Sequence, residues 1–168
     1  MRLLLATALL FLSAPALASS ASKPKVDETQ RSTQADPAIA AQLKKLGYEY
    51  EVDEDGDYKL TFGLDGDRSQ LAFVLSNTEE FGKLRVREVW APAYRASGEA
   101  FPAEVANRLL EDSQDSKLGG WVKQGNMAVF VVKIAANAST DELDDALDYV
   151  LRSADEMEAE LTPGQDEF

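Results

Sequence analysis

Tyr48, Tyr50 and Val52 alternate with Glu49, Glu51 and Asp53, and beyond Asp55-Gly56 the alternation resumes with Tyr58, Leu60 and Phe62 against Lys59 and Thr61. Period two is the spacing that puts every second side chain on one face of a strand. Asp-Gly between two such runs marks a hairpin, because glycine accepts positive φ without steric cost. A second turn, Leu64-Asp65-Gly66-Asp67, leads to Leu71-Ala72-Phe73-Val74-Leu75, so the pattern predicts an antiparallel meander. Residues 84–90, LRVREVW, are also strand-like and end before Pro92. Trp121-Val122-Lys123, the turn Gln124-Gly125-Asn126 and the run 127–134, MAVFVVKI, read as a further hairpin whose second strand is covered on both faces.

Helical spacing brackets and interrupts these strands. Asp36-Pro37 supplies an N-cap followed by proline in the first turn, Ile39, Leu43 and Leu46 share one face, and Gly47 closes the helix. A second helix runs from Pro102 to about Asp112 with Val105, Leu109 and Leu110 inward. Ser139-Thr140-Asp141-Glu142 has capping-box spacing and opens a long helix. Its inner stripe is Leu143, Leu147, Val150, Leu151, Ala154, Met157 and Leu161, and Pro163-Gly164 ends it. The order α-β-β-β-(β)-α-β-β-α predicts an α+β fold, a twisted antiparallel sheet with helices packed on one face.

The amino terminus belongs to another class of segment. Arg2 precedes the apolar run Leu3–Leu12, Ser13 and Pro15 break it, and Ala16-Leu17-Ala18 offers the small residues that a signal peptidase reads. Residues 1–18 are therefore read as a signal peptide cut after Ala18, which predicts a periplasmic or secreted protein. The run is about half the ~20 residues that a membrane-spanning helix needs, so no membrane insertion is expected after cleavage. Residues 19–35 are polar and predict a disordered leader, 36–162 a single domain, and 163–168 a flexible tail.

Composition narrows the chemistry. The chain has neither cysteine nor histidine, so packing must hold the fold, and nucleophile–histidine systems and histidine zinc sites are excluded. Its formal net charge of −13, with no basic stripe, argues against nucleic acid and against an anionic membrane surface. Carboxylate-only catalysis and oxygen-ligand metal sites are the chemistries left.

The densest acidic stretch is residues 51–57, EVDEDGD. With Gly56 at position 6 of an EF-hand loop, Glu51, Asp53 and Asp55 take positions 1, 3 and 5, but position 12 is Phe62, which cannot ligate a cation. Strand flanks replace the helices that such a loop needs, so the stretch reads as a solvated turn. No pair of acids stands out as catalytic, and neither a metal site nor a cofactor is assigned. The acids of the last helix read as its solvated face. Two aromatic positions read as contact candidates: Trp90, which follows Arg85, Arg87 and Glu88, and Trp121, which follows Gly119-Gly120. A tryptophan offers large contact area and one polar N–H. Val131, in the doubly covered strand, joins them as a candidate anchor.

Several blocks, LGYEYEVDEDGDYKLTF (46–62), REVW (87–90), LLEDSQDSKLGGWV (109–122) and SADEMEAEL (153–161), resemble the YbjN family over about residues 38–162. That family is described as bacterial sensory transduction regulators, and the resemblance implies a fold similar to type III secretion chaperones. Chaperones of that shape are small acidic homodimers that bind unfolded partner segments, although they work in the cytosol and a signal peptide does not fit that location. The expectation is thus a non-enzymatic periplasmic or secreted module that binds a protein or peptide, as a homodimer. The alternative is a sensor of a small ligand or a divalent cation.

Overall fold

The computed structural model describes residues 33–168. The signal peptide read at 1–18 and most of the leader read at 19–35 lie outside the described residues. The order is α1 (Pro37–Leu46), β1 (Glu51–Val52), β2 (Tyr58–Gly63), β3 (Ser69–Phe81), β4 (Leu84–Arg95), α2 (Ala103–Asp115), β5 (Gly120–Gln124), β6 (Met127–Ala135) and α3 (Thr140–Leu161). Six strands form one sheet in the order β1-β2-β3-β4-β6-β5, with every neighbouring pair antiparallel. This is the α+β fold and the element order that the periodicity predicts.

The helices take the ends that their caps encode. Asp36 accepts from the Ala38 amide at the start of α1, and Gly47, at φ +79°, closes it. Ser139 and Glu142 satisfy each other's backbone amides in a complete capping box at the start of α3. Leu143, Leu147, Val150, Leu151, Ala154 and Met157 of α3 pack with Ile39 and Leu43 of α1 and Leu109 of α2. Beneath them lie Tyr58, Leu60, Ala72, Val74, Val89, Ala91, Phe130 and Val132, so all three helices share one face of the sheet. Burying each large apolar side chain contributes about 1.5–3 kcal/mol. Alanines at 72, 91, 93, 128, 146 and 154 let α3 approach the strands closely.

Several boundaries differ from the predicted ones. The tract read as Leu71–Leu75 is a 13-residue strand, and β4 does not stop before Pro92 but continues to Arg95. Proline cannot donate to a ladder, and here a register shift between Pro92 and Tyr94 accommodates it. The Gln70 side-chain amide donates to the Pro92 carbonyl over 2.7 Å. Tyr48 and Tyr50 lie before β1, which spans two residues, and Val52 is exposed. Leu110, read as inward, is 66% exposed, because α2 packs mainly against the edge strand β5.

The carboxy-terminal residues are held rather than loose. Arg68 donates to Asp155 at 2.7 Å and to the Gln165 carbonyl at 3.1 Å. The Glu167 amide donates to the buried Glu158 carboxylate at 2.6 Å, and Arg95 pairs with Glu167 at 2.5 Å. Burial raises the Glu158 pKa, opposed by the Glu167 amide and the Arg68 charge. Among the described residues no helix is long and apolar enough to cross a membrane.

Candidate functional site

Alternation along a strand sends neighbouring side chains to opposite faces. Val89, Phe130 and Val132 lie in the core under the helices, so Trp90, Val129 and Val131 point to the other face. None of the three helices packs there. One row of directly opposed residues crosses that face: Glu51 on β1, Lys59 on β2, Phe73 on β3, Trp90 on β4 and Val131 on β6.

The centre of the row is apolar and ordered. The Phe73 and Trp90 rings stack with centroids 4.6 Å apart and planes 20° from parallel. Such a pair contributes about 0.5–1.5 kcal/mol beyond its burial. Val129 is 0% exposed and Val131 5%. Among the described residues the Trp90 indole N–H, which is shielded from solvent, has no hydrogen-bond partner. A buried donor left in that state costs about 1–3 kcal/mol, which an incoming acceptor would recover. Charges frame the centre as pairs. Lys133 lies 2.9 Å from Glu88, and this hydrogen bond raises the Lys133 pKa, while Lys59 lies 3.1 Å from Glu51.

The sequence candidates thus divide. Trp90 and Val131 meet as cross-strand partners, whereas Trp121 lies on the helix-covered face, opposite Phe130. Its indole N–H donates to Asp112 at 2.8 Å, its backbone amide donates to Ser113 at 2.8 Å, and its ring meets Phe130 edge-on at 5.1 Å. Trp121 therefore ties α2 to the sheet. Gly119, at φ +94°, makes room for that junction: a Cβ there would strike the Val131 carbonyl. Beside it, Phe101, Ala106, Leu109, Leu110, Trp121 and Val122 line a shallow apolar groove of about 250 Å³.

Arg87, which sequence proximity grouped with Trp90, points the other way. It is buried, pairs with Asp36 at 2.6 Å and donates to the Leu75 and Ser76 carbonyls at 2.5 and 3.1 Å. Those carbonyls belong to the bulge where the β3–β4 register shifts between Val74 and Thr78. Arg85 remains at the surface, with Thr78 and Glu80.

The acidic stretch is a structural turn. Asp53 accepts from the Asp55 and Asp57 amides, Asp57 accepts from the Ser76 amide at 2.7 Å, and the Gly56 carbonyl accepts from the Ser76 hydroxyl at 2.6 Å. Among the described residues no group of three or more potential ligands could hold a metal ion. On α3, Asp144 accepts from the Tyr48 hydroxyl at 2.6 Å, and this bond, with burial and the charges of Asp144 and Asp148, pushes the phenol up to about 12.

Sequence reasoning missed Phe73 as a site residue. Its alternation was legible, but its partnership with Trp90 depends on the β3–β4 register. It also missed Phe81, 81% exposed, which opposes Leu84 at the tip of the long hairpin.

A family model named YbjN and described as "Putative bacterial sensory transduction regulator" matches residues 37–163. A search of curated proteins found no match.

Proposed function

Because the chain belongs to the YbjN family, whose description is that of a regulator, we propose that it is a regulatory binding module rather than an enzyme. It works outside the cytoplasm once residues 1–18 have been removed, and it takes an apolar segment of a protein partner on the helix-free face. The observation that carries this reading is the Phe73–Trp90–Val131 row on a face that no helix covers among the described residues. An ordered aromatic anchor at the centre of a patch, with charges at its edge, is the composition of a protein-binding surface. The Trp90 N–H, without a partner among the described residues, supplies a donor for a backbone carbonyl of the incoming segment. The net charge of −13 favours partners without an acidic surface.

The test is affinity capture from extracytoplasmic extract with residues 19–168, beside the same chain carrying Trp90→Asp, with light-scattering mass on both. A specific protein retained by the wild type and lost with Trp90→Asp supports the reading. Equal retention by both removes the helix-free face from it. A wild-type dimer that the substitution dissociates makes the partner on this face a second copy of the chain.

A further inference from the structure

We propose that Arg68, Ser69, Arg95 and Glu158 form a peptide site that reads an acid–acid–aromatic segment. The chain's own residues 165–168 fill it in cis, and a protein partner's segment of the same chemistry takes it when they leave. The site lies beside α3 and does not depend on the reading of the helix-free face.

Consecutive residues of the segment are read one by one. Arg68 donates to the Gln165 carbonyl at 3.1 Å. The Asp166 carboxylate accepts from the Ser69 amide at 3.2 Å and from its hydroxyl at 3.3 Å, with the Arg68 guanidinium 3.9 Å away. Arg95 donates to Glu167 at 2.5 Å and stands over the Phe168 ring, 5.6 Å from its centroid. One guanidinium thus takes both a carboxylate and an aromatic face, two partners that suit its charge and planarity. The Glu158 carboxylate accepts from the Glu167 amide at 2.6 Å and from the Phe168 amide. Main-chain bonds hold such a segment, and side-chain contacts give it a sequence preference.

The seat keeps its shape through bonds that do not involve the segment. Arg68 is tied to Asp155 at 2.7 Å and to Glu158 at 3.4 Å. Ser69 pairs with Gly63 in the sheet, and Arg95 pairs with Met127. Residues 165–168, in contrast, belong to no helix or strand and follow the Pro163-Gly164 turn, where Gly164 has φ +77°. Both side chains of the Arg95–Glu167 pair are 44% exposed. A short irregular strap held by exposed bonds opens more readily than the helix and strands beneath it. A preformed seat under a separable strap lets one peptide replace another.

The test uses the full chain and a dye-labelled peptide with the sequence of residues 162–168, TPGQDEF. In cis the strap competes at an effective concentration of about millimolar order, so the wild type should bind the peptide weakly. Glu167→Lys with Phe168→Ser deprives the strap of its acid and its ring, and the peptide should bind this variant at least about ten-fold tighter than the wild type. Adding Arg95→Glu should abolish the gain. Equal binding to the wild type and the double variant, binding that survives Arg95→Glu, or no binding to either chain overturns the proposal. The last of these leaves residues 165–168 as a structural lock alone. If the double variant shows no urea transition, the wild type decides. Unlabelled peptide at about 10 mM, above the effective concentration of the tethered strap, should speed exchange of the Glu167 amide, and the same peptide with alanine for its phenylalanine should not. Unchanged exchange overturns the proposal.

Discussion

Arg87, in the middle of β4, reaches Asp36 at the start of α1 over 2.6 Å. Asp36 also caps α1 through the Ala38 amide, and its carbonyl accepts from the Tyr58 hydroxyl at 2.8 Å. The pair therefore joins the first helix, the β3 bulge and β2 at one point. Removing Asp36 leaves the guanidinium buried with carbonyls alone. Asp36→Ala is expected to cost about 3–5 kcal/mol, the range for breaking a buried ion pair, read as a lower urea midpoint at unchanged slope. Asp36→Asn keeps the cap and should cost distinctly less. Equal losses would show that the charge pair, and not the cap, carries the junction.

The two tryptophans should separate binding from stability. Trp90→Ala is expected to weaken capture of an apolar peptide by ten-fold or more, which is about 1.4 kcal/mol. Trp121→Phe removes the bond to Asp112 and should lower stability by about 1 kcal/mol without changing capture. Titration of each variant with the peptide, beside its urea curve, checks both. Loss of capture in Trp121→Phe alone would move the site to the α2–β5 side.

Glu158 gives the pH dependence a sign. Burial, the largest cause, raises its pKa above the usual 4.5, so between 4.5 and the raised value the folded chain holds a proton that the unfolded chain has released. Its contribution to stability therefore grows as pH falls through that window. Glu160, lowered mainly by the Arg108 hydrogen bond, acts oppositely and loses its contribution as pH falls below 4.5. Glu158→Gln cannot titrate. The melting temperature of the variant minus that of the wild type should rise between pH 4.5 and 7. A flat difference would mean that Glu158 titrates as an ordinary carboxylate.

Gly119→Ala tests the closest backbone approach. At φ +94° a side chain is strained, and its Cβ would meet the Val131 carbonyl and the Val132 side chain. A loss of more than about 2 kcal/mol is expected, with β5 amides exchanging faster than those of β2. Uniform exchange would place the strain elsewhere.

Local pattern carried much of the fold. Asp55-Gly56 and Gly66 marked the turns of the meander, and Ser139 to Glu142 marked the start of α3, because a turn or a cap is built by residues adjacent in the chain. The same locality misled at Pro92, where the missing amide argued for a strand end. A register shift between Pro92 and Tyr94 removed that objection, and the Gln70 side chain of a neighbouring strand satisfies the Pro92 carbonyl. Polar Ser76-Asn77-Thr78 hid the length of β3, since the strand pairs on through its irregularity.

The candidate site was half legible. Trp90 and Val131 stood out as residues, but their contact requires β4 to lie beside β6, across α2 and β5 in sequence. Arg87 read as a surface cation beside Trp90, and strand alternation turned it to the opposite face, where it is buried.

By itself the sequence determined the α+β class, the order of its elements, their caps and turns, and a chemistry without histidine or cysteine. All of these follow from short-range spacing and from composition. Only the tertiary structure decided which strands are neighbours, and hence that Phe73, Trp90 and Val131 form one row while Trp121 stands on the other face. Face and register are set by long-range pairing and by which side the helices bury. No window of local sequence contains that information.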